Sequence, residues 1–266
     1  MRPRIHLAVP SSFTSETADH KIKTYKVGLL ARAAAIFDVD TIVIYRDATH
    51  DDSDFIDTVL RYMETPQYLR KLLFPRSQEL RHIGVVPPLK TPHHVHPHDD
   101  VRDGVVIDVG TDHAWVEVGL DCPALLRTTG LRKGERVTVK VFSRDKPELE
   151  AIQTAPEYRG YSVQVVNSIG DALKGLVVVT SRHGEILRPS TIERIKQRDA
   201  DLLTFVFGAP HRGVEALLKD SGLSIADVSD FIINTVPHQG TETVRIEEAI
   251  TATLSVFNIA LHEKMR

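Results

Sequence analysis

Short apolar runs alternate with segments of helical periodicity in the first and last parts of the chain. The runs cover residues 5–9, 41–45, 161–166, 176–180, 202–207 and 230–234, and each predicts a buried strand. Between the first two runs, Tyr25, Leu29, Ala33 and Ile36 recur at three- and four-residue spacing, which predicts a helix. The strand–helix–strand order predicts an α/β fold, with an open and largely parallel sheet and helices on both faces.

The pattern changes between residues 84 and 155, where short β-rich runs follow one another. They lie at 105–109, 114–118, 135–142 and 149–152, and glycine or aspartate turns separate them. Short strands at this spacing predict a small, OB-like β-barrel inserted into an α/β domain of residues 1–83 and 156–266. Barrels of this kind bind single-stranded nucleic acid through basic and aromatic side chains. The available groups are Trp115, Arg127, Arg132, Lys133 and Arg136.

Two strand–loop–helix units close the chain. The strand at 201–207 runs into the turn 208–214, and the apolar run 231–233 runs into a loop and then a helix that we expect to start near Thr243. Loops at the carboxyl ends of strands are the usual ligand sites of α/β sheets, because free backbone N–H groups collect there. An ordinary loop without a ligand is the competing interpretation of either unit alone.

Specific motifs favour the ligand site. They comprise Thr24, Tyr25, Gly28, Arg32, Ala33, 35–37, Val39, Asp40, 66–71, 92–94, Tyr158, Gly160, Tyr161, 206–208, Gly213, Val214, Asn234, Thr235, Pro237, Gln239, Gly240, Arg245 and 247–250. In these motifs the chain resembles the SPOUT superfamily of knotted, S-adenosylmethionine-dependent RNA methyltransferases. Within that superfamily it is similar to the RNA methyltransferase family shared by archaea and eukaryotes. The resemblance spans nearly the whole chain, and its last motif is highly specific.

The resemblance implies a trefoil knot in the C-terminal part of the chain and a site for S-adenosylmethionine within it. Main-chain groups would hold most of this donor, and glycines would allow the backbone to approach it closely. The residues implied for donor binding are Val206, Phe207, Gly208, Gly213, Asn234, Thr235, Pro237, Gly240, Val244 and Ile246.

Catalysis is assigned by the same resemblance to Arg32 and Arg245, with Arg212 as a helper. If the acceptor is a uridine ring nitrogen, a positive group near the base oxygens stabilises the anion that forms. The competing interpretation of Arg32 is a surface arginine whose stem covers apolar neighbours. No residue is a secure general base, and His238 is best interpreted as a loop histidine.

RNA, with ribosomal RNA foremost, is the partner implied by the resemblance, and so is a second copy of the chain. The C-terminal helix is apolar enough to pack against both the core and a partner, which predicts a homodimer. Net charge is −3, so a basic RNA-binding surface must be gathered in three dimensions. Two alternatives stay open: a ribosome-assembly or RNA-binding factor that binds the donor with little turnover, and a protein methyltransferase.

Cysteine and histidine usage adds two expectations. Cys122 is the single cysteine, which fits a reducing, cytoplasmic location, and no apolar run approaches the roughly 20 residues of a membrane span. The cluster His93, His94, His96 and His98 lies in a proline-rich loop. We interpret it as a linker with incidental metal affinity, or as a patch that becomes basic below about pH 6.5, rather than as a specific metal site.

Overall fold

The computed structural model describes residues 2–91, 101–142, 149–154 and 160–262. The chain divides into two compact units. One comprises Met1–Arg61, Glu79–Pro88 and Gly160–Arg266, and the other comprises Tyr62–Gln78 and Leu89–Arg159. The predicted domain boundaries near residues 83 and 155 stay predictions, as does the knot.

The first unit is built on a six-stranded sheet. The strands are β1 Arg4–Pro10, β2 Thr41–Tyr45, β8 Ser162–Val166, β9 Leu176–Ile186, β10 Leu202–Val206 and β11 Phe231–Asn234. Their order across the sheet is β11-β9-β10-β1-β2-β8. All neighbouring strands pair in parallel, which confirms the predicted parallel α/β sheet.

Helices connect and cover these strands. They are α1 His20–Ile36, α2 Ser53–Glu64, α4 Ile169–Ala172, α5 Pro189–Lys196, α6 Val214–Asp220, α7 Ile225–Val228 and α8 Ile246–His262, while α3 Gln67–Leu73 belongs to the second unit. Asp19 caps α1 by accepting a hydrogen bond from the Lys21 N–H at 2.7 Å. Helix α8 begins three residues after the predicted start at Thr243. Among the helices of the described residues, none combines the length and the apolar character that crossing a bilayer requires.

The C-terminal helix packs against the sheet through its predicted apolar stripe. Ile250, Leu254 and Phe257 are fully buried or nearly so, and the ring of Phe257 meets Phe205 of β10 edge-on at 4.7 Å. The first turn of α8 is therefore fixed beside the carboxyl ends of the central strands.

The second unit contains a closed barrel. Its strands are β3 Val101–Val109, β4 Ala114–Glu117, β5 Ala124–Leu126, β6 Arg136–Phe142 and β7 Leu149–Gln153. Their order around the barrel is β3-β4-β5-β7-β6. This confirms the predicted small barrel. Strand β5 was absent from the prediction, because three residues between turns are too few to show an alternating pattern.

A buried ion cluster ties the segment before the barrel to the barrel wall. Arg136 on β6 donates hydrogen bonds to Glu64 at 2.5 and 3.0 Å and to Asp103 at 2.7 Å. Tyr68 of α3 donates to the Asp103 carbonyl at 2.8 Å. Arg136, which the sequence offered as an RNA-binding group, therefore has a structural role. The predicted linker histidines His93–His98 lie outside the described residues, and within those residues no group of potential ligands could hold a metal ion.

Glu247 is buried between α1 and α8. We expect the burial of its charged carboxylate to lower the stability of the folded protein measurably. Burial raises the pKa of its carboxyl, and Lys26, 3.7 Å away, offsets this only in part because it also pairs with Glu16. Oxygen Oε2 of Glu247 has no hydrogen-bond partner within the described structure. A raised pKa means that the folded state holds the proton more tightly, so stability is lost as the pH rises from the unfolded pKa through the folded one.

We therefore expect Glu247→Gln to raise the melting temperature at pH 7 by a few degrees, corresponding to about 1 kcal/mol. The gain should shrink towards pH 4, where the wild-type carboxyl is protonated. Thermal unfolding of both proteins from pH 4 to 8 measures this, with Glu215→Gln at an exposed position as the control. A lower melting temperature for Glu247→Gln, or a gain independent of pH, would contradict the expectation.

Candidate functional site

A cavity of about 510 Å³ lies at the carboxyl ends of β10 and β11 and beside the middle of β9. The loops that follow β10 and β11, residues 180–183 of β9 and the first turn of α8 form its wall. This is the place where an open α/β sheet most often binds a ligand. The lining residues are 180–183, 207–214, 234–236, Gln239, 242–244, Ile246 and Ala249.

Most of the residues predicted to bind the donor meet at this cavity. Those that line it are Phe207, Gly208, Gly213, Asn234, Thr235, Val244 and Ile246. The other three, Val206, Pro237 and Gly240, are not among the lining residues. Val206 is fully buried in β10, where its carbonyl accepts a hydrogen bond from the Thr180 hydroxyl at 3.0 Å. Two strand–loop–helix units that are separate in sequence therefore form one wall.

An excursion within β9, residues 180–184, supplies part of the wall. Val179 pairs with Ile232 of β11, but the next pair is Glu185 with Ile233. Five residues of β9 thus have no counterpart on β11 and project out of the ladder as an extended bulge. Four of them, residues 180–183, line the cavity. The sequence predicted a loop after residue 180, whereas the strand resumes and ends at Ile186.

Asn234 holds this excursion in place from the neighbouring strand. Its Nδ2 donates to the Arg182 carbonyl at 3.0 Å, and its Oδ1 accepts from the Val236 N–H at 3.0 Å. The amide thereby joins two parts of the cavity wall. Gly184 closes the excursion, and its Cα packs so tightly that an added Cβ would lie 2.7 Å from the Ile233 carbonyl carbon. A glycine after a run of polar residues was the sequence signal for this bulge.

Arg212 lies in the wall and is held by carboxylates. Its guanidinium pairs with Asp47 at 3.5 Å and closely with Asp220. The Asp47 side chain is only 1% exposed and accepts hydrogen bonds from Ser12 at 2.7 Å and from the Thr49 hydroxyl at 2.9 Å. Burial favours the neutral acid, but these hydrogen bonds and the Arg212 charge outweigh it, so the pKa of Asp47 is lowered. The ion pair with Arg212 is therefore formed at neutral pH.

Asp47 was missed by sequence reasoning. It follows β2 by two residues, and an acidic residue at the carboxyl end of a buried strand was the signal that could have revealed it. The cavity also contains Arg182, His183, His211 and Glu242. Cationic and titratable groups thus outnumber the one carboxylate among the lining residues, an arrangement suited to an anionic or electron-rich ligand.

Neither of the two arginines predicted to be catalytic lines this cavity, although Arg245 stands between the lining residues Val244 and Ile246. Arg32 of α1 donates to the Pro88 carbonyl at 3.1 Å, and neither Arg32 nor Arg245 is among the lining residues of this chain's cavity. Arg245 is exposed just before α8, where its N–H donates to Glu248 at 2.9 Å. His238 is exposed, adopts a left-handed backbone with φ 57° and does not line the cavity.

Arg32 belongs instead to an exposed stripe along α1. Ile22, Tyr25, Leu29, Arg32 and Ile36 follow one another at alternating three- and four-residue spacing, so they share one face of the helix. Ile22, Tyr25 and Ile36 are 49%, 48% and 57% exposed. Large apolar side chains aligned in this way are typical of a surface that meets a partner.

Comparisons with known proteins found a matching family model and several relatives. A family model described as "Putative RNA methyltransferase" matches residues 4–257. An uncharacterised protein of Halobacterium salinarum is 38% identical over 92% of this chain and 95% of its own length, and one of Haloarcula marismortui is 35% identical over 94% and 97%. A human protein named 28S rRNA (uridine-N(3))-methyltransferase is 28% identical over 97% of this chain and 78% of its own length.

Proposed function

Because this chain belongs to the RNA methyltransferase family whose model matches residues 4–257, we propose that it methylates ribosomal RNA at N3 of a uridine, with S-adenosylmethionine as donor. The family expected from the sequence motifs is confirmed, with relatives in archaea and eukaryotes. The observation that carries the proposal is the cavity at the carboxyl ends of β10 and β11, with the excursion of β9 in its wall. The acceptor atom follows the name of the human relative, 28S rRNA (uridine-N(3))-methyltransferase.

The cavity suits the donor in size and in chemistry. Its volume, about 510 Å³, falls within the roughly 300–1,000 Å³ of small-molecule sites. Phe207, Val244 and Ile246 offer apolar surface for a purine ring, while turn backbones supply polar groups for its edge. Gly213 leaves open space, since a Cβ there would meet nothing within 4 Å. We propose these residues as the donor site, together with Gly208, Asn234 and Thr235.

Methyl transfer requires the protein mainly to align the donor with the acceptor base and to place positive charge near that base. The donor supplies an activated methyl group on a sulfonium. The uridine N3 forms its bond to the methyl carbon as the carbon–sulfur bond breaks, and the N3 proton must leave. Arg212, held by Asp47, places positive charge in the cavity where it can stabilise the anionic base or a carboxylate of the donor. His183 and His211 are the imidazoles in the wall and are our candidates for accepting the proton.

Arg32 enters this scheme through a homodimer. Helix α1, which carries the exposed stripe, packs against α8, and α8 exposes Val256 and Ile259 at 36% and 65%. We propose that two copies of the chain bury these exposed side chains against each other. In such a dimer Arg32 serves the cavity of the partner copy, which accounts for its absence from the lining of its own chain's cavity. A symmetric pairing would complete two equivalent sites.

Calorimetry with S-adenosylmethionine and S-adenosylhomocysteine tests the donor site, and a labelled-methyl assay on ribosomal RNA tests the reaction. We expect saturable binding of both ligands, and 3-methyluridine after digestion of the labelled RNA. Binding without transfer to any ribosomal RNA fraction would favour an assembly factor that uses the donor as a structural ligand. Absence of binding to either ligand would overturn the proposal.

A further inference from the structure

The outer face of the barrel carries an aromatic site that the methyl-transfer cavity does not explain. Along β4, Ala114 and Val116 point into the barrel and are buried, so Trp115 points outward and is partly exposed. On β5, Leu125 is likewise the outward residue, and its Cα is paired with that of Trp115. The indole and the leucine therefore stand side by side on the barrel surface.

His113 and Arg127 extend this surface at one end. The His113 ring meets Trp115 edge-on at 6.4 Å, which leaves the indole face unstacked by this neighbour. Arg127 directly follows β5, is exposed, and contributes with His113 to lowering the pKa of Asp112. A positive charge thus lies close to the aromatic pair.

Charge on the other sides of the pair limits what can bind. The strand neighbours in the same row are Asp108, opposite Trp115, and Glu150, opposite Leu125. Both carboxylates are exposed and repel phosphate. The exposed Arg132 and Lys133 lie in the loop between β5 and β6. Since Arg127 is the cation next to the pair and carboxylates flank its other sides, a polyanion would run along the Arg127 end, with its bases directed towards Trp115.

We infer that the outer face of β4 and β5 binds a single-stranded RNA segment, with a base stacked on Trp115 and the adjoining phosphates near Arg127. Two features favour this occupant: a planar ring beside a cation, and a barrel in which β4 and β5 are the second and third strands, the face that OB-type barrels use for oligonucleotides. The inference deepens the proposed function and rests on RNA being the substrate.

Trp115 is the single tryptophan of the chain, so it reports on its own site. We expect a single-stranded oligouridylate of about 12 nucleotides, within the site sizes of such barrels, to quench the intrinsic fluorescence of the full-length protein saturably. Measured by anisotropy of the labelled oligonucleotide, Trp115→Ala should bind about tenfold more weakly, and Trp115→Phe should recover most of the loss. Arg127→Ala should weaken binding and flatten its salt dependence.

Phe142→Ala is the matched control, since Phe142 is an exposed barrel aromatic that lies outside this face, on β6. Its RNA affinity should equal that of the wild type. Donor binding by calorimetry should be the same in all these variants, so a failure of the donor site and a failure of this inference give different results. Unchanged RNA affinity of Trp115→Ala would overturn the inference. If that variant instead loses self-association or a protein contact, the face serves protein binding and the inference is equally overturned.

Discussion

Replacing Gly184 with alanine is expected to weaken S-adenosylmethionine binding by about tenfold or more and to lower the stability by about 1–3 kcal/mol. The added Cβ would lie 2.7 and 2.8 Å from the carbonyl carbon and nitrogen of Ile233 and 2.9 Å from the Ile232 carbonyl carbon. These are backbone atoms of β11, so no side chain can rotate away. The excursion at residues 180–184 must shift instead, and it carries four residues of the cavity wall.

Gly240→Ala is the matched control for this experiment. Gly240 lies in the loop between β11 and α8, does not line the cavity, and a Cβ there meets nothing within 4 Å. The two variants add the same methyl group, in one case against the backbone of β11 and in the other into open space outside the cavity. Calorimetry with S-adenosylhomocysteine and thermal unfolding should separate them clearly. If Gly184→Ala binds as well as Gly240→Ala, the excursion is not part of the donor site.

The control also shows which part of the site was accessible to sequence reasoning. Glycine-rich turns after apolar strands predicted Gly208, Gly213 and the loop from Asn234 correctly as neighbours in space, because parallel strands place their carboxyl ends at one edge. Gly240 was expected to approach the donor, but it does not line the cavity and a Cβ there also meets nothing within 4 Å. A glycine in a loop indicates conformational freedom, and only the fold decides whether a ligand or open space lies beside it.

Features that depend on register or on distant pairing were beyond the sequence. Gly184 indicates a bulge in β9, but nothing in residues 176–186 states which of them pair with β11. The link from Asp47 to Arg212 spans 165 positions and depends on β1 and β2 lying beside β10. The alternation of strands and helices along the chain predicts that the strands run parallel. It does not predict which of the six strands lie next to each other in the sheet.

Arg32→Ala is expected to reduce the methyl-transfer rate by about 100-fold or more while leaving donor affinity unchanged. Arg32 does not line the cavity of its own chain, so its loss should not disturb donor binding there. If Arg32 of one copy completes the site of the other, the loss of its charge should lower the rate of methyl transfer without changing the affinity for the donor. Lys21→Ala, an exposed charge change on the same helix, is the control and should keep full activity. A fall in donor affinity with no change in rate would place Arg32 outside the reaction.

Mixed dimers then decide whether Arg32 acts on its own cavity or on that of its partner. Arg32→Ala keeps an intact cavity, and Gly184→Ala keeps an intact Arg32. In a dimer of one copy of each, the cavity of the first chain meets the arginine of the second, so one of two sites is complete. Random pairing makes half of the dimers mixed. At a donor concentration that fills few Gly184→Ala cavities, co-expression of the two variants should restore about a quarter of wild-type activity. If Arg32 served its own chain, every cavity would lack either the arginine or bound donor, and co-expression would give no more activity than the separate variants.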